Sequence, residues 1–138
     1  MTPVLLDTGV IVALLDRSEG RHEDCKAAIH DLKSPMVTCE AVIAESCYLL
    51  RSVPGAPEAI VENVEKGTFQ IPFSLPRSAA AIRAILRRYR DQEMDFADAC
   101  LVRLAEELRS GQILTLDSDF EIYRWGRKNP FELLISLK

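Results

Sequence analysis

The sequence predicts an α/β fold in which a central parallel sheet of four to five short strands is flanked by helices on both faces. Short apolar runs alternate along the chain with longer stretches in which apolar residues recur at helical spacing. Those stretches are long enough to serve as the crossovers that parallel strands require. The 138 residues, 48% hydrophobic and 28% charged, have the size and composition of one globular domain spanning residues 1–138.

The first half of the chain alternates strand and helix. Val4–Leu6 is predicted as a buried strand because three apolar residues stand in a row, and a helix opens soon after it. Pro54 and Gly55 predict the end of the third helix, because both residues are common just beyond helix ends. The predicted elements of this half are strand 4–6, helix 9–15, helix 22–32, strand 36–38 and a following helix that runs through residue 50.

The second half continues the alternation. Gly67 ends a short helix, and Pro76 opens the next one, at a position where the missing N–H of proline costs nothing. A further helix is stopped by Gly111 and leads into the most apolar of the predicted strands. The predicted elements of this half are helix 56–65, strand 69–73, helix 76–89, helix 96–109, strand 113–116 and a last edge strand at 131–137.

Composition and charge exclude several classes of protein. The N-terminus lacks a secretory signal and no apolar run is long enough to span a bilayer, so a cytoplasmic protein is expected. The four cysteines form no C-x-x-C pair, which argues against a zinc site and against disulfides. A net charge of −4 disfavours binding nucleic acid by bulk electrostatics, unless cations neutralise a clustered acidic site.

Two acids stand directly after predicted strands. Asp7 follows Val4–Leu6, Asp117 follows strand 113–116, and each precedes a helical segment. In an open α/β sheet the ligand crevice lies beyond the carboxyl ends of the strands, so acids there are candidates for a site. Taken singly, each is equally explained as a helix N-cap that accepts a bond from an unpaired backbone N–H.

Asp95 and Asp98 stand three residues apart at the start of helix 96–109. This spacing matches a capping arrangement in which Asp95 is the cap and Asp98 lies one turn into the helix. An acid in the first turn also complements the helix dipole. With Asp95 as the cap, Asp98 is free to face the crevice.

Glu45 lies inside an apolar run. Its neighbours at three and four residues' spacing are all apolar: Ala41, Val42, Tyr48 and Leu49. This pattern predicts a carboxylate on an apolar, buried face, where an unpaired charge costs on the order of several kcal/mol. Such a glutamate requires a metal, a raised pKa or a cationic partner. A buried ion pair with Arg51 or Arg103 is therefore the alternative to a metal site.

Convergence of these acids would require a bound cation, because closely spaced carboxylates raise one another's pKa values. The candidates are all hard oxygen ligands, which select Mg²⁺, or Mn²⁺, over zinc or copper. The number of ions, one or two, is open. Asp95 and Asp119 are further acids, so that Asp119 could replace Asp117 as the fourth ligand. The predicted catalytic and metal-binding residues are Asp7, Glu45, Asp98 and Asp117.

Four short segments resemble PIN domains, and in particular the VapC-like toxins of bacterial and archaeal toxin–antitoxin pairs. No segment is specific alone, but their order on the predicted elements makes a composite signal that spans nearly the whole chain. The segments are Leu5-Leu6-Asp7-Thr8, Ala44-Glu45, Asp95-Phe96-Ala97-Asp98-Ala99 and Thr115-Leu116-Asp117-Ser118-Asp119-Phe120.

This resemblance implies a magnesium-dependent endoribonuclease with its four acids at Asp7, Glu45, Asp98 and Asp117. It also implies a small antitoxin partner, which commonly covers the site with a basic side chain, and a homodimer of the toxin. Thr8 and Thr115 are expected in supporting positions, with the Thr115 hydroxyl orienting a water or an acidic ligand. No feature of the sequence identifies the RNA that is cleaved.

A basic stripe offers a second kind of contact with RNA. Arg83, Arg87 and Arg90 stand at i, i+4 and i+7, which places them on one helical face. The alternative is a solvated face whose arginines pair with nearby acids, and the sequence favours neither.

The main rival to a nuclease is a PIN-like domain that has lost catalysis and only binds protein or RNA. A complete set of acids argues against it, because a binding module gains nothing from a buried glutamate. A receiver-type signalling domain is excluded, since the middle strand is not followed by an aspartate. A D-x-D phosphatase is excluded because Asp7-Thr8-Gly9 contains one acid.

Overall fold

The computed structural model of the chain describes residues 2–137. Its helices are α1 Thr8–Leu15, α2 His22–His30, α3 Glu40–Leu49, α4 Ala56–Glu65, α5 Leu75–Arg88 and α6 Phe96–Leu108. Its strands are β1 Val4–Leu6, β2 Met36–Val37, β3 Phe69–Gln70, β4 Gln112–Leu114, β5 Arg124–Trp125, β6 Asn129–Pro130 and β7 Glu132–Leu133. Short 3-10 helices occupy Arg90–Gln92 and Ser118–Glu121.

The central sheet has five strands in the order β3-β2-β1-β4-β7, and every neighbouring pair is parallel. Leu5 of the middle strand pairs with Val37 on one side and with Ile113 on the other. All residues of β1 are buried, as expected for a strand that helices cover on both faces. The predicted α/β class and the parallel sheet are therefore confirmed.

The element boundaries follow local chemistry closely, with two informative differences. Helix α6 ends at Leu108, one residue before the predicted end, and the residue that stops it is the C-cap Arg109, with a left-handed φ of 55°, rather than Gly111. Gly111 is required for another reason, since a Cβ there would lie 2.3 Å from Trp125 Nε1. The predicted strand 113–116 ends at Leu114, so the chain leaves the sheet before Thr115.

An antiparallel hairpin, β5 with β6, was not predicted. Its strands have two residues each, and Pro130 lies in one of them, so neither carries the alternation that identifies a strand. The turn contains two residues with positive φ, Gly126 and Arg127. The hairpin leads directly into the predicted edge strand, which forms as β7.

Helices α5 and α6 lie antiparallel, which sets the position of the basic stripe formed by Arg83, Arg87 and Arg90. At one end the Ser78 hydroxyl, in the first turn of α5, lies 3.4 Å from a carboxylate oxygen of Glu107 near the end of α6. At the other end Tyr89, just beyond α5, packs edge-on against Tyr123, which contacts Asp98 in the first turn of α6. The C-terminal end of α5 therefore lies at the Asp98 end of α6.

All four cysteines are free thiols, and three of them are buried. Within residues 2–137, no helix combines the length and the apolar character that a bilayer span requires.

Candidate metal centre

Asp7, Asp98 and Asp117 meet at the carboxyl ends of the central strands. Asp7 follows β1, Asp117 lies three residues beyond β4, and Asp98 projects from the first turn of α6. One carboxylate oxygen from each lies within 4.8 Å of the others. The parallel pairing of β1 and β4 brings Asp7 and Asp117 to the same edge of the sheet, and the start of α6 brings Asp98 to them.

Asp7 combines two roles that the sequence left as alternatives. Its Oδ1 caps α1 by accepting a bond of 2.8 Å from the Thr8 N–H, and its Oδ2 accepts a bond of 2.7 Å from the Thr115 hydroxyl. The side chain is buried. Burial raises the pKa of Asp7 to about 6, although both hydrogen bonds oppose the rise, and the nearby charges of Asp117 and Glu45 add to it.

Asp98 is the most perturbed acid of the group. Asp95 Oδ1 accepts a bond of 2.8 Å from the Asp98 N–H, so Asp95 is the helix cap and Asp98 faces the crevice, as expected. Its side chain is only 6% exposed. Burial raises the pKa of Asp98 to about 8, and the charges of Asp7, Asp95 and Asp117 contribute.

Glu45 does not lie on a buried face, and that prediction was wrong. The residue is exposed, as are its helix neighbours Tyr48 and Leu49, while Val42 and Ser46 form the buried face of α3. Both faces carry apolar residues, so spacing alone could not identify the face that packs on the core. Glu45 nevertheless lines the same cavity as the three aspartates.

The predicted alternative for Glu45, an ion pair with an arginine, is also wrong. Arg51 donates to the backbone carbonyl of Tyr48 at 2.7 Å, and Arg103 pairs with Glu106 at 3.3 Å. The partner of Glu45 is instead the Thr8 hydroxyl, which donates to Oε1 at 2.6 Å. Glu45 therefore stands outside the compact group of three acids and is tied to it through Thr8.

The structure separates Asp117 from Asp119. Asp117 belongs to the compact group and also caps the 3-10 helix Ser118–Glu121 by accepting a bond of 2.9 Å from the Asp119 N–H. Asp119 is exposed and does not line the cavity. Thr115 is fully buried, and besides its bond to Asp7 its hydroxyl oxygen accepts a bond of 3.0 Å from the Asp117 N–H.

The acids open into a cavity of about 740 Å³. Its lining combines acids, with Glu45 and Asp95 beside the three clustered aspartates, and apolar side chains such as Val12, Leu49 and Leu116, and it also includes Arg21. The cavity is large enough to admit a nucleotide-sized group as well as a cation.

The donor set fits a hard divalent cation. Two buried carboxylates with raised pKa values show that the cluster is unfavourable when fully charged, and a cation at the meeting point of the three oxygens would relieve that cost. The donors are carboxylate and hydroxyl oxygens, with no histidine or cysteine among the residues that line the cavity. This chemistry suits Mg²⁺ or Mn²⁺.

Tyr123 is a site residue that sequence reasoning missed. Its phenol donates to Asp98 Oδ2 at 3.3 Å. No local pattern connects two residues 25 positions apart, and the only signal nearby is that Phe120 and Tyr123 are large aromatics three residues apart, directly after Asp119. Both are buried.

Arg83, Arg87 and Arg90 are all exposed. Their exposure agrees with a solvated face, but within the described part of the chain none of them forms an ion pair, so nearby acids do not pair with them as that alternative expected. Arg83 and Arg87 lie on α5, whereas Arg90 begins the 3-10 helix Arg90–Gln92, so the predicted single helical face does not extend to Arg90. The C-terminal end of α5 lies at the Asp98 end of α6, but none of the three arginines lines the acidic cavity.

Comparison with known proteins identifies similar sequences and a similar fold. The chain matches the PIN domain family model over residues 4–126. It is 28% identical to ribonuclease VapC26 of Mycobacterium tuberculosis over 116 residues, which cover 83% of this chain and 86% of that protein. Its fold is similar to the crystal structure of VapC20 from the same organism, a toxin that cleaves the sarcin-ricin loop. The TM-score is 0.79 at 19% identity, over 86% of this chain and 93% of VapC20.

Proposed function

The chain belongs to the PIN domain family, and from this membership we propose that it is a magnesium-dependent endoribonuclease, the toxin of a toxin–antitoxin pair. The observation that carries the proposal is the convergence of Asp7, Asp98 and Asp117 within 4.8 Å at the carboxyl end of a parallel sheet. Similarity to a VapC ribonuclease over most of both chains supports RNA as the substrate.

The contacts of the site residues suggest which of them bind the ion and which orient the acids. Asp7, Asp98 and Asp117 would hold the ion, with Glu45 as a fourth acid at the rim of the cavity. When bound, Mg²⁺ or Mn²⁺ supplies positive charge that favours deprotonation of an attacking water and stabilises the leaving oxygen of a phosphodiester. Thr115 orients Asp7, and Thr8 orients Glu45, each through a hydroxyl bond of under 2.8 Å.

The first test is whether metal both activates and stabilises the protein. We expect RNA cleavage in Mg²⁺ or Mn²⁺ and none in EDTA. At a metal concentration ten times the Kd, preferential binding to the folded state contributes about 1.4 kcal/mol. For a chain of this size that corresponds to a rise in Tm of roughly 3–5 °C, which scanning fluorimetry can measure.

An Asp7→Asn preparation, purified in parallel, controls for contaminating nuclease. Equal cleavage by this variant would contradict the proposal. A chain that cleaves no RNA and whose Tm does not respond to either metal would instead be a catalytically inactive binding module.

We further propose that Arg83, Arg87 and Arg90 contact RNA phosphates beside the cavity. Replacing all three with alanine is expected to weaken RNA binding about tenfold near 0.1 M salt. The dependence of log K on log salt should become shallower by about 0.7 for each phosphate that the protein no longer neutralises. Fluorescence anisotropy with a labelled RNA, repeated across salt concentrations, measures both quantities.

Arg77→Ala is the control on α5, since Arg77 is exposed like Arg83 and Arg87 but lies at the opposite end of that helix. It should leave both the affinity and the salt slope nearly unchanged. If the triple variant kept the affinity and the slope of the original protein, the arginine stripe would have no part in binding.

The antitoxin and the homodimer belong to the same proposal. A basic side chain of an antitoxin could enter the acidic cavity and supply positive charge in place of the cation. Tyr48 and Leu49, 62% and 53% exposed, lie one turn from Glu45 and offer apolar surface to a protein partner.

A further inference from the structure

We propose that Tyr123 is a positioning residue of the metal centre, whose phenol holds Asp98 in the orientation that leaves one carboxylate oxygen open to the cation. This inference rests on the proposed function, because it assigns Tyr123 a role toward the ion that the acids would hold.

Each acid of the site is held by a donor from the protein. Asp7 is held by Thr8 and Thr115, Glu45 by Thr8, and Asp117 by a backbone N–H. For the Asp98 carboxylate, the one donor within residues 2–137 is the phenol of Tyr123, at 3.3 Å from Oδ2. Oδ1 is therefore free of protein donors on the described part of the chain.

The phenol is itself held rigidly. Tyr123 is 1% exposed, and its ring packs edge-on against Tyr89 and Phe120, with centroids 5.1 Å away in both cases. Phe120 packs in the same way on Phe131 at 5.2 Å. Because packing sets the ring, the hydroxyl cannot turn toward solvent, and Asp98 at 6% exposure has little water available to replace it.

Loss of the hydrogen bond from Tyr123 to Asp98 should weaken metal binding more than it destabilises the fold. Groups that hydrogen-bond to a ligating carboxylate typically change metal affinity by about 10- to 100-fold when removed. Tyr123→Phe keeps the ring and its edge-on contacts and removes only the hydroxyl. A purely structural tyrosine would give a variant whose metal affinity is unchanged.

The experiment measures Mn²⁺ binding by electron paramagnetic resonance, together with the rise in Tm that Mn²⁺ produces, in the original protein and two variants. Tyr89→Phe is the matched control, since its hydroxyl belongs to the same aromatic cluster but accepts a bond of 2.9 Å from the Arg124 N–H and, within residues 2–137, is hydrogen-bonded to no carboxylate. We expect Tyr123→Phe to raise the Kd for Mn²⁺ about tenfold and Tyr89→Phe to change it less than twofold. Saturating Mn²⁺ should restore most of the cleavage by Tyr123→Phe.

The outcomes separate the two proposals. If the original protein binds Mn²⁺ and Tyr123→Phe binds it within twofold as well, the role of Tyr123 is overturned and the metal site stands. Equal losses in both variants would also overturn it, because the effect would then belong to the aromatic cluster. Failure of the original protein to bind Mn²⁺ overturns the metal site and the role of Tyr123 together. Each Tm shift is taken against the same variant in EDTA, so a general loss of stability does not imitate a loss of metal binding.

Discussion

Asp98→Asn is expected to abolish RNA cleavage and, at the same time, to make the metal-free protein more stable. Cleavage should fall at least a thousandfold, since the variant loses a charge from the group that would hold the cation. Stability should rise because the variant removes a buried carboxylate whose pKa is about 8 from a cluster of like charges. Asparagine keeps an oxygen that can accept the bond from Tyr123.

The stability gain should depend on pH with a definite sign. The pKa of Asp98 is raised from its ordinary value of 3.8 to about 8, so between these values the folded state binds more protons than the unfolded state. The free energy of unfolding of the original protein therefore falls as pH rises through this window. At pH 8 in EDTA we expect Asp98→Asn to melt about 5 °C higher, and the difference should vanish near pH 4.

Thermal melts in EDTA from pH 4 to pH 8.5, paired with cleavage assays in Mg²⁺, check both halves of this prediction. Asp91→Asn is the control, because Asp91 is an exposed acid that precedes α6 and does not line the cavity. A metal-free Asp98→Asn protein that was less stable than the original at pH 8 would contradict the assignment of Asp98 as the costly charge.

Asp117→Asn is expected to reduce cleavage by at least about a hundredfold, whereas Asp119→Asn should stay within about threefold of the original protein. Asp117 contributes an oxygen to the compact group and Asp119 does not. A direct ligand should cost at least as much as the outer partners of a metal, which are worth about 10- to 100-fold.

The pair of variants separates metal binding from capping. Asparagine is as good an N-cap as aspartate, so Asp117→Asn keeps an oxygen for the Asp119 N–H and should leave the metal-free Tm nearly unchanged. Single-turnover cleavage and thermal melts measured on both variants test this. A larger loss of activity in Asp119→Asn than in Asp117→Asn would reverse the assignment.

Most of the architecture was predictable because it follows from local periodicity. The helix Ala56–Glu65 has the predicted ends, and the remaining helices differ by a few residues. The parallel sheet follows from the alternation of strand and helix, since parallel neighbours need crossovers. The β5–β6 hairpin was not predictable, because strands of two residues have no period.

In the candidate site, too, the features that depend on local sequence were predictable. Asp7 and Asp117 follow strands, and Asp98 lies one turn beyond its cap, so local sequence placed three acids at the correct edge of the sheet. For Glu45 the prediction of a buried helix face was wrong, although the residue lines the same cavity. A helix with apolar residues on both faces does not reveal which face packs on the core, and here Val42 and Ser46 are the buried ones.

By itself the sequence determined the order of the elements and the edge of the sheet where the acids gather, since periodicity and strand ends are local properties. Tertiary structure alone decided which carboxylates bear the cost of burial, and these are Asp98 and, to a smaller extent, Asp7 rather than Glu45. It also brought the Tyr123 hydroxyl to Asp98 across 25 positions of chain. Burial and hydrogen bonding between distant residues depend on how α3, α6 and the aromatic cluster pack around the sheet, which no short stretch of sequence contains.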